Sequence, residues 1–152
     1  MVNSVDFAKY IVFNAQQKNI PLNLTQLQKI TYICDGTLLA LGHNIINEHC
    51  RVWEHGPVYP KIYKWYDKNR NKSLALTDIS KDAIKEINSI SDINKIVISA
   101  LKKFGTWTAG QLSEWSHQPK SPWDIARSNN GMFSKIDKED MKSYFLGIIN
   151  VR

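Results

Sequence analysis

The chain has 152 residues, of which 43% are hydrophobic and 22% charged, the proportions of a globular domain rather than of a disordered or fibrous segment. It contains no apolar run of about eighteen residues and no basic-then-apolar start, so neither a membrane-spanning helix nor a leader is expected and a cytoplasmic protein follows. The net charge of +6 permits attraction to nucleic acid or to an acidic protein surface without demanding either, and two cysteines, Cys34 and Cys50, are too few for a disulfide scaffold and are expected to be free.

In chain order, the first helix starts at Asn3 or Ser4 and carries Phe7, Ile11 and Ala15 on one side until Asn19-Ile20-Pro21 ends it. The second is capped by Asn23 with Gln26. It carries a stripe of Leu27, Ile30, Cys34, Leu38 and Leu41, and Gly42 closes it. Gly36 inside that helix is explained by a close approach of another backbone or by simple tolerance. Asn44–His49 and Cys50–Trp53 read as a short extended pair. Tyr59, Ile62, Tyr63 and Tyr66 make an aromatic helix face, Asn69–Ser73 is a polar turn, and Leu74-Ala75-Leu76 reads as a brief strand.

Ser80 opens a helix with Ile84 and Ile87. After Ser89-Ile90-Ser91 another follows, with Ile93, Ile96, Val97, Ala100, Leu101 and Phe104 inward and Gly105 as its stop. Thr108 with Gln111 caps a short helix bearing Leu112 and Trp115, and Ser121 caps one whose first residue is Pro122. Asn129-Asn130-Gly131 is a turn. Asp137 opens the last helix, with Met141, Tyr144, Phe145 and Ile148 inward. The expectation is a mainly α, compact single domain (residues 1–152) of about six to eight helices, with a small extended or two-to-three-stranded β element around 44–58.

One stretch concentrates chemistry. Arg51–Tyr63 holds a Gly56-Pro57 corner, entered by Trp53, Glu54 and His55 and followed by Pro60 at a helix start. On residue chemistry alone, Trp53 is a core residue pinning a turn more readily than an anchor for a partner. His43, His49, Cys50, His55 and His117 match no zinc spacing, Cys34 sits on an apolar stripe, and no nucleophile elbow or phosphate loop is present. No catalytic, cofactor-binding or metal-binding residue is therefore expected. Lys61, Lys64, Lys68, Arg70 and Lys72 against Asp67 give a local charge of +4. Interleaved with Tyr63, Trp65 and Tyr66, they could stack on bases and meet phosphates, or simply form a solvated helix face.

Three blocks, Leu27-Gln28-Lys29-Ile30-Thr31-Tyr32, Val52–Pro60 with Tyr63, and Leu112–His117 with Pro122-Trp123, resemble the Panacea domain, the SocA-like group also called phage-associated proteins. The resemblance runs from about Phe7 to Tyr144. It departs at Ser116, where the family often has threonine, and at Val52, where alanine is common. It implies an antitoxin-like module that binds and neutralises a cognate toxin protein; one branch of the family acts as an adaptor delivering its toxin to a protease. It attaches no catalytic residues; the alternatives are a nucleic-acid-binding regulator, or a proteolytic adaptor that delivers a toxin to a protease. Trp53, Glu54, His55, Gly56, Pro57, Tyr63, His117, Pro122 and Trp123 are the expected partner-binding surface or its supporting core, with His117 and Trp123 packed near the corner. Trp107 and Trp115 are further core or anchor candidates. Lys61, Lys64, Lys68, Arg70 and Lys72 form a basic contact surface suited to an acidic toxin.

Overall fold

The second helix, α2 (Leu24–Ala40), runs through the middle of the molecule: every residue from Leu27 to Ala40 except Thr37 is buried. Its start is fixed locally. The Asn23 side chain accepts from the Gln26 backbone, and Gln26 returns the bond to the Asn23 N–H. A helix enclosed on all sides must be covered by others. In this computed structural model, which describes residues 1–69 and 72–150, the cover comes from α1 (Ser4–Gln17), α3 (Pro60–Asn69), α5 (Ile93–Phe104), α6 (Ala109–Ser116) and α8 (Lys138–Asn150). The outer elements are α4 (Lys81–Asn88) and α7 (Pro122–Asn130). The architecture is mainly α and compact, as the sequence led us to expect. The predicted caps hold at Asn3, Ser80, Thr108 and Ser121.

α8 lies closest to α2, and Gly36 is the reason. A Cβ at Gly36 would overlap the Phe145 ring. The close approach expected at this glycine is therefore by an aromatic side chain and not by a backbone. Leu41 is not on the buried stripe; the helix stops at Ala40 and Leu41 is 52% exposed. Ile33 and Leu39 are buried instead, because α2 is covered on more than one face.

The extended pair is displaced from its expected place. β1 (Arg51–Trp53) pairs antiparallel with β2 (Gly56–Val58), so Glu54 and His55 make the reversal, and Gly56-Pro57, expected to be the corner itself, forms the start of the second strand just past it. Val52 faces Pro57 in this register. The Val52 N–H donates to the Ser134 carbonyl (3.0 Å) and its own carbonyl accepts from the Phe133 N–H (2.7 Å). Val52 thus spends both backbone groups on its other side, and a proline with no N–H fits opposite it without loss. Asn44–His49 forms no strand; Ile46 makes a single parallel bridge to Val2.

Leu74-Ala75-Leu76 is not a strand either. Asp78 accepts from the Ala75 N–H (2.8 Å) and folds Leu76–Asp78 into a 3-10 turn. Asn129 and Asn130 belong to α7, which Gly131 ends. Ile84, Ile96, Tyr144 and Ile148 are half-buried at the edges of their helices, while Ala83 is buried. Both thiols are free and buried, and burial raises the Cys34 and Cys50 pKa values.

Candidate functional site

The corner is held from below by the polar residues of α2. Gln28 clamps the backbone of one residue twice: its Nε2 donates to the Tyr59 carbonyl (3.1 Å) and its Oε1 accepts from the Tyr59 N–H (2.8 Å). Lys29 Nζ donates to the Pro57 carbonyl (3.2 Å), and the Tyr59 hydroxyl donates to Asp35 Oδ2 (2.7 Å). Buried polar groups persist where such bonds compensate them. These bonds explain why Gln28, Lys29 and Asp35 can occupy buried positions of this helix.

Gly56 sits directly on this support with φ +120°, and a Cβ there would overlap Lys29 Cε and lie 2.5 Å from Ser116 Oγ. The chain can therefore make its close pass over α2 and α6 only with glycine at this point.

From the other side, α6 and α7 close on the corner. Ser121 Oγ accepts from the Asp124 N–H (3.2 Å) and donates to the Ser116 carbonyl (3.1 Å), which fixes the start of α7 and the buried Pro122. Trp123 then lies with its ring 4.1 Å from that of His117, and its Nε1 donates to the Trp53 carbonyl (2.9 Å). Burial pushes the His117 pKa below its ordinary value. Electrostatic repulsion from Lys29 and His55 adds to this, and a backbone hydrogen bond to Glu54 opposes it. His117 Nε2 is buried with no hydrogen-bond partner. Trp123→Phe is expected to remove the bond to Trp53 and lower stability by about 1 kcal/mol, measured as a shift of denaturant midpoint at unchanged slope; no shift would mean that the bond contributes nothing.

Trp53, Glu54, His55, Gly56, Pro57, His117, Pro122 and Trp123 are thus gathered in one place. Tyr63 joins them. It is 46% exposed and not part of a buried face, and its ring centre lies 5.3 Å from that of Trp53, with the ring planes tilted by 56°. The sequence reading missed Phe133, which is 63% exposed with its ring 6.3 Å from Trp53. The one available signal was an apolar Met132-Phe133 pair just past a glycine helix stop, where a polar loop is usual. Trp53, Tyr63, Phe133 and Val58, with Leu24 and Lys29 of α2, line a cleft of about 340 Å³.

Other candidates lie elsewhere. Trp107 and Trp115 pack on Phe104 at 5.0 and 5.7 Å, beside a separate apolar cavity between α5 and α8. Lys61, Lys64, Lys68 and Lys72 are exposed, while Arg70 lies outside the described residues. Trp65 and Tyr66 are half-buried, and the Tyr66 hydroxyl donates to the Leu22 carbonyl (3.2 Å), so those rings do not stand out among the lysines as base-stacking platforms would. Among the described residues no three of His, Cys, Asp and Glu meet as a metal-binding group. No helix among them is long and apolar enough to cross a membrane.

The family model described as "Antitoxin SocA-like, Panacea domain" matches residues 27–124, the span from the buried face of α2 to the start of α7. The chain is 28% identical over 131 residues to the Antitoxin SocA of Caulobacter vibrioides (strain NA1000 / CB15N), covering 82% of this chain and 70% of that relative. No solved structure matches it. The matched span holds most of the residues that build the corner, and the protein belongs to the SocA-like antitoxin, Panacea domain family.

Proposed function

We propose that this protein is an antitoxin that neutralises a toxin protein by binding it directly, with the aromatic corner as the contact surface. It acts as a binder and not as a catalyst. The observation that carries the reading is the trio of Trp53, Tyr63 and Phe133, clustered around an open cleft and flanked by exposed Glu54 and His55. Aromatic anchors within a polar rim are the pattern of binding hot spots. The rings are also backed by a fixed support, since Trp53 is tied to Trp123 and the turn is clamped to α2. A preorganised surface loses less freedom on association. The exposed lysines of α3 lie on the helix that carries Tyr63, and they would speed capture of an acidic toxin.

The test is co-expression with the product of the adjacent gene, followed by co-purification and rescue of growth. Trp53→Ala with Phe133→Ala is expected to weaken capture by at least about thirtyfold, with the helical circular-dichroism signal retained. A complex that forms unchanged in the double variant would remove the corner from the interface. Growth arrest that this chain does not relieve would remove that product as its toxin.

A further inference from the structure

We propose that the cleft beside the corner takes the carboxylate of an aspartate or glutamate side chain of the bound protein onto the Lys29 ammonium. This rests on the reading that the corner seats a protein, and it specifies what that protein must bring.

Lys29 is only 1% exposed, yet it lines the cleft. Its Nζ makes a single hydrogen bond, to the Pro57 carbonyl, which leaves two of its three donors unused. Among the described residues no carboxylate lies within 4.0 Å of it. Apart from Glu54 on the rim, the other titratable groups nearby add positive charge or none. His117 and His55 are bases, and the Cys50 thiol is held neutral because burial pushes its pKa up. A buried ammonium without a counter-charge is costly, and burial lowers the Lys29 pKa to about 8. His117, close enough for Lys29 to act on it, also has a buried Nε2 without a partner. The cleft is much larger than a carboxylate, and its walls are Trp53, Tyr63, Phe133 and Val58. An acidic side chain therefore fits best beside an apolar neighbour that fills the space between the rings. Glu54 is the one acid on the rim. It would compete weakly for the same charge.

The probes are three blocked dipeptides, followed by NMR on the full chain through the indole N–H of Trp53 and the Cε of Lys29. Ac-Phe-Glu-NH2 is expected to bind about tenfold tighter than Ac-Phe-Gln-NH2 and tighter than Ac-Phe-Ala-OH, which offers only a terminal carboxylate. In the unsubstituted protein the Glu peptide should move the Lys29 titration upward from about 8, because an anion favours the charged form. Glu54→Gln should tighten the Glu peptide severalfold. Lys29→Met should bring the Glu and Gln peptides to equal affinity.

Equal binding of the Glu and Gln peptides to the unsubstituted protein, or an unmoved Lys29 titration, would overturn the proposal. Tighter binding of the terminal acid would overturn its side-chain form. If Trp53→Ala with Phe133→Ala abolishes toxin capture while the Glu and Gln peptides bind alike, this inference fails and the antitoxin reading stands.

Discussion

Gly56→Ala is expected to lower stability by about 3 kcal/mol and to weaken toxin capture with it. Two costs combine. The backbone at φ +120° is a conformation that L side chains rarely adopt, and the new methyl would overlap Lys29 Cε and crowd Ser116 Oγ. Neither neighbour moves freely: Lys29 is buried and bonded to Pro57, and Ser116 is fixed at the end of α6 by donating to the Ser113 carbonyl (2.8 Å). Gly131→Ala is the control. Its φ is +83°, but nothing lies within 4 Å of a Cβ there, so it carries the backbone strain without the overlap. The difference between the two denaturant midpoints, read at unchanged slope, isolates the packing cost at the corner. A Gly56→Ala loss no greater than that of Gly131→Ala would show that the corner is not packed as described.

The second large effect concerns Asp35. Burial raises its pKa to about 6, against the Tyr59 hydroxyl bond and the Lys138 charge, which both pull it down. The nearby Tyr32 hydroxyl and Asp35 Oδ1 have no hydrogen-bond partners. The folded pKa lies above the unfolded one, so the folded state binds the proton more tightly. The stability this gives is fully present below about pH 4 and is lost as pH rises to about 6, roughly 3 kcal/mol in all. Asp35→Asn keeps an acceptor for Tyr59 and carries no charge. It should match the unsubstituted protein near pH 4 and exceed it by about 2–3 kcal/mol at pH 7 to 8. Urea titrations of both proteins across that range provide the check. Parallel curves would mean that Asp35 titrates normally and that its surroundings are wetter than the packing indicates.

The helices were largely legible because their signals are local. Capping needs only residues three apart, as at Asn23 and Gln26 or Thr108 and Gln111, and the stop at Gly105 is written in one residue. The place of the corner was legible for the same reason, since Gly56 and Pro57 restrict their own backbones, but the reversal itself falls one step earlier, at Glu54 and His55. The strand register was not. What places Val52 opposite Pro57 is the use of its other edge by Phe133 and Ser134, some eighty positions away. Leu74–Leu76 misled because apolar residues suggest a strand, whereas a single carboxylate at Asp78 was enough to fold the segment into a turn.

The sequence by itself determined a helical chain with one forced corner, and through its three motif blocks it indicated the antitoxin family. Only the tertiary structure decided that Lys29 and Asp35 are buried beneath that corner, that Phe133 completes the aromatic trio, and that Tyr63 faces outward while Tyr66 does not. Capping and turn formation depend on neighbours along the chain. Burial depends on which surfaces meet, and a lysine or a phenylalanine reads the same in sequence whichever side of an interface it reaches.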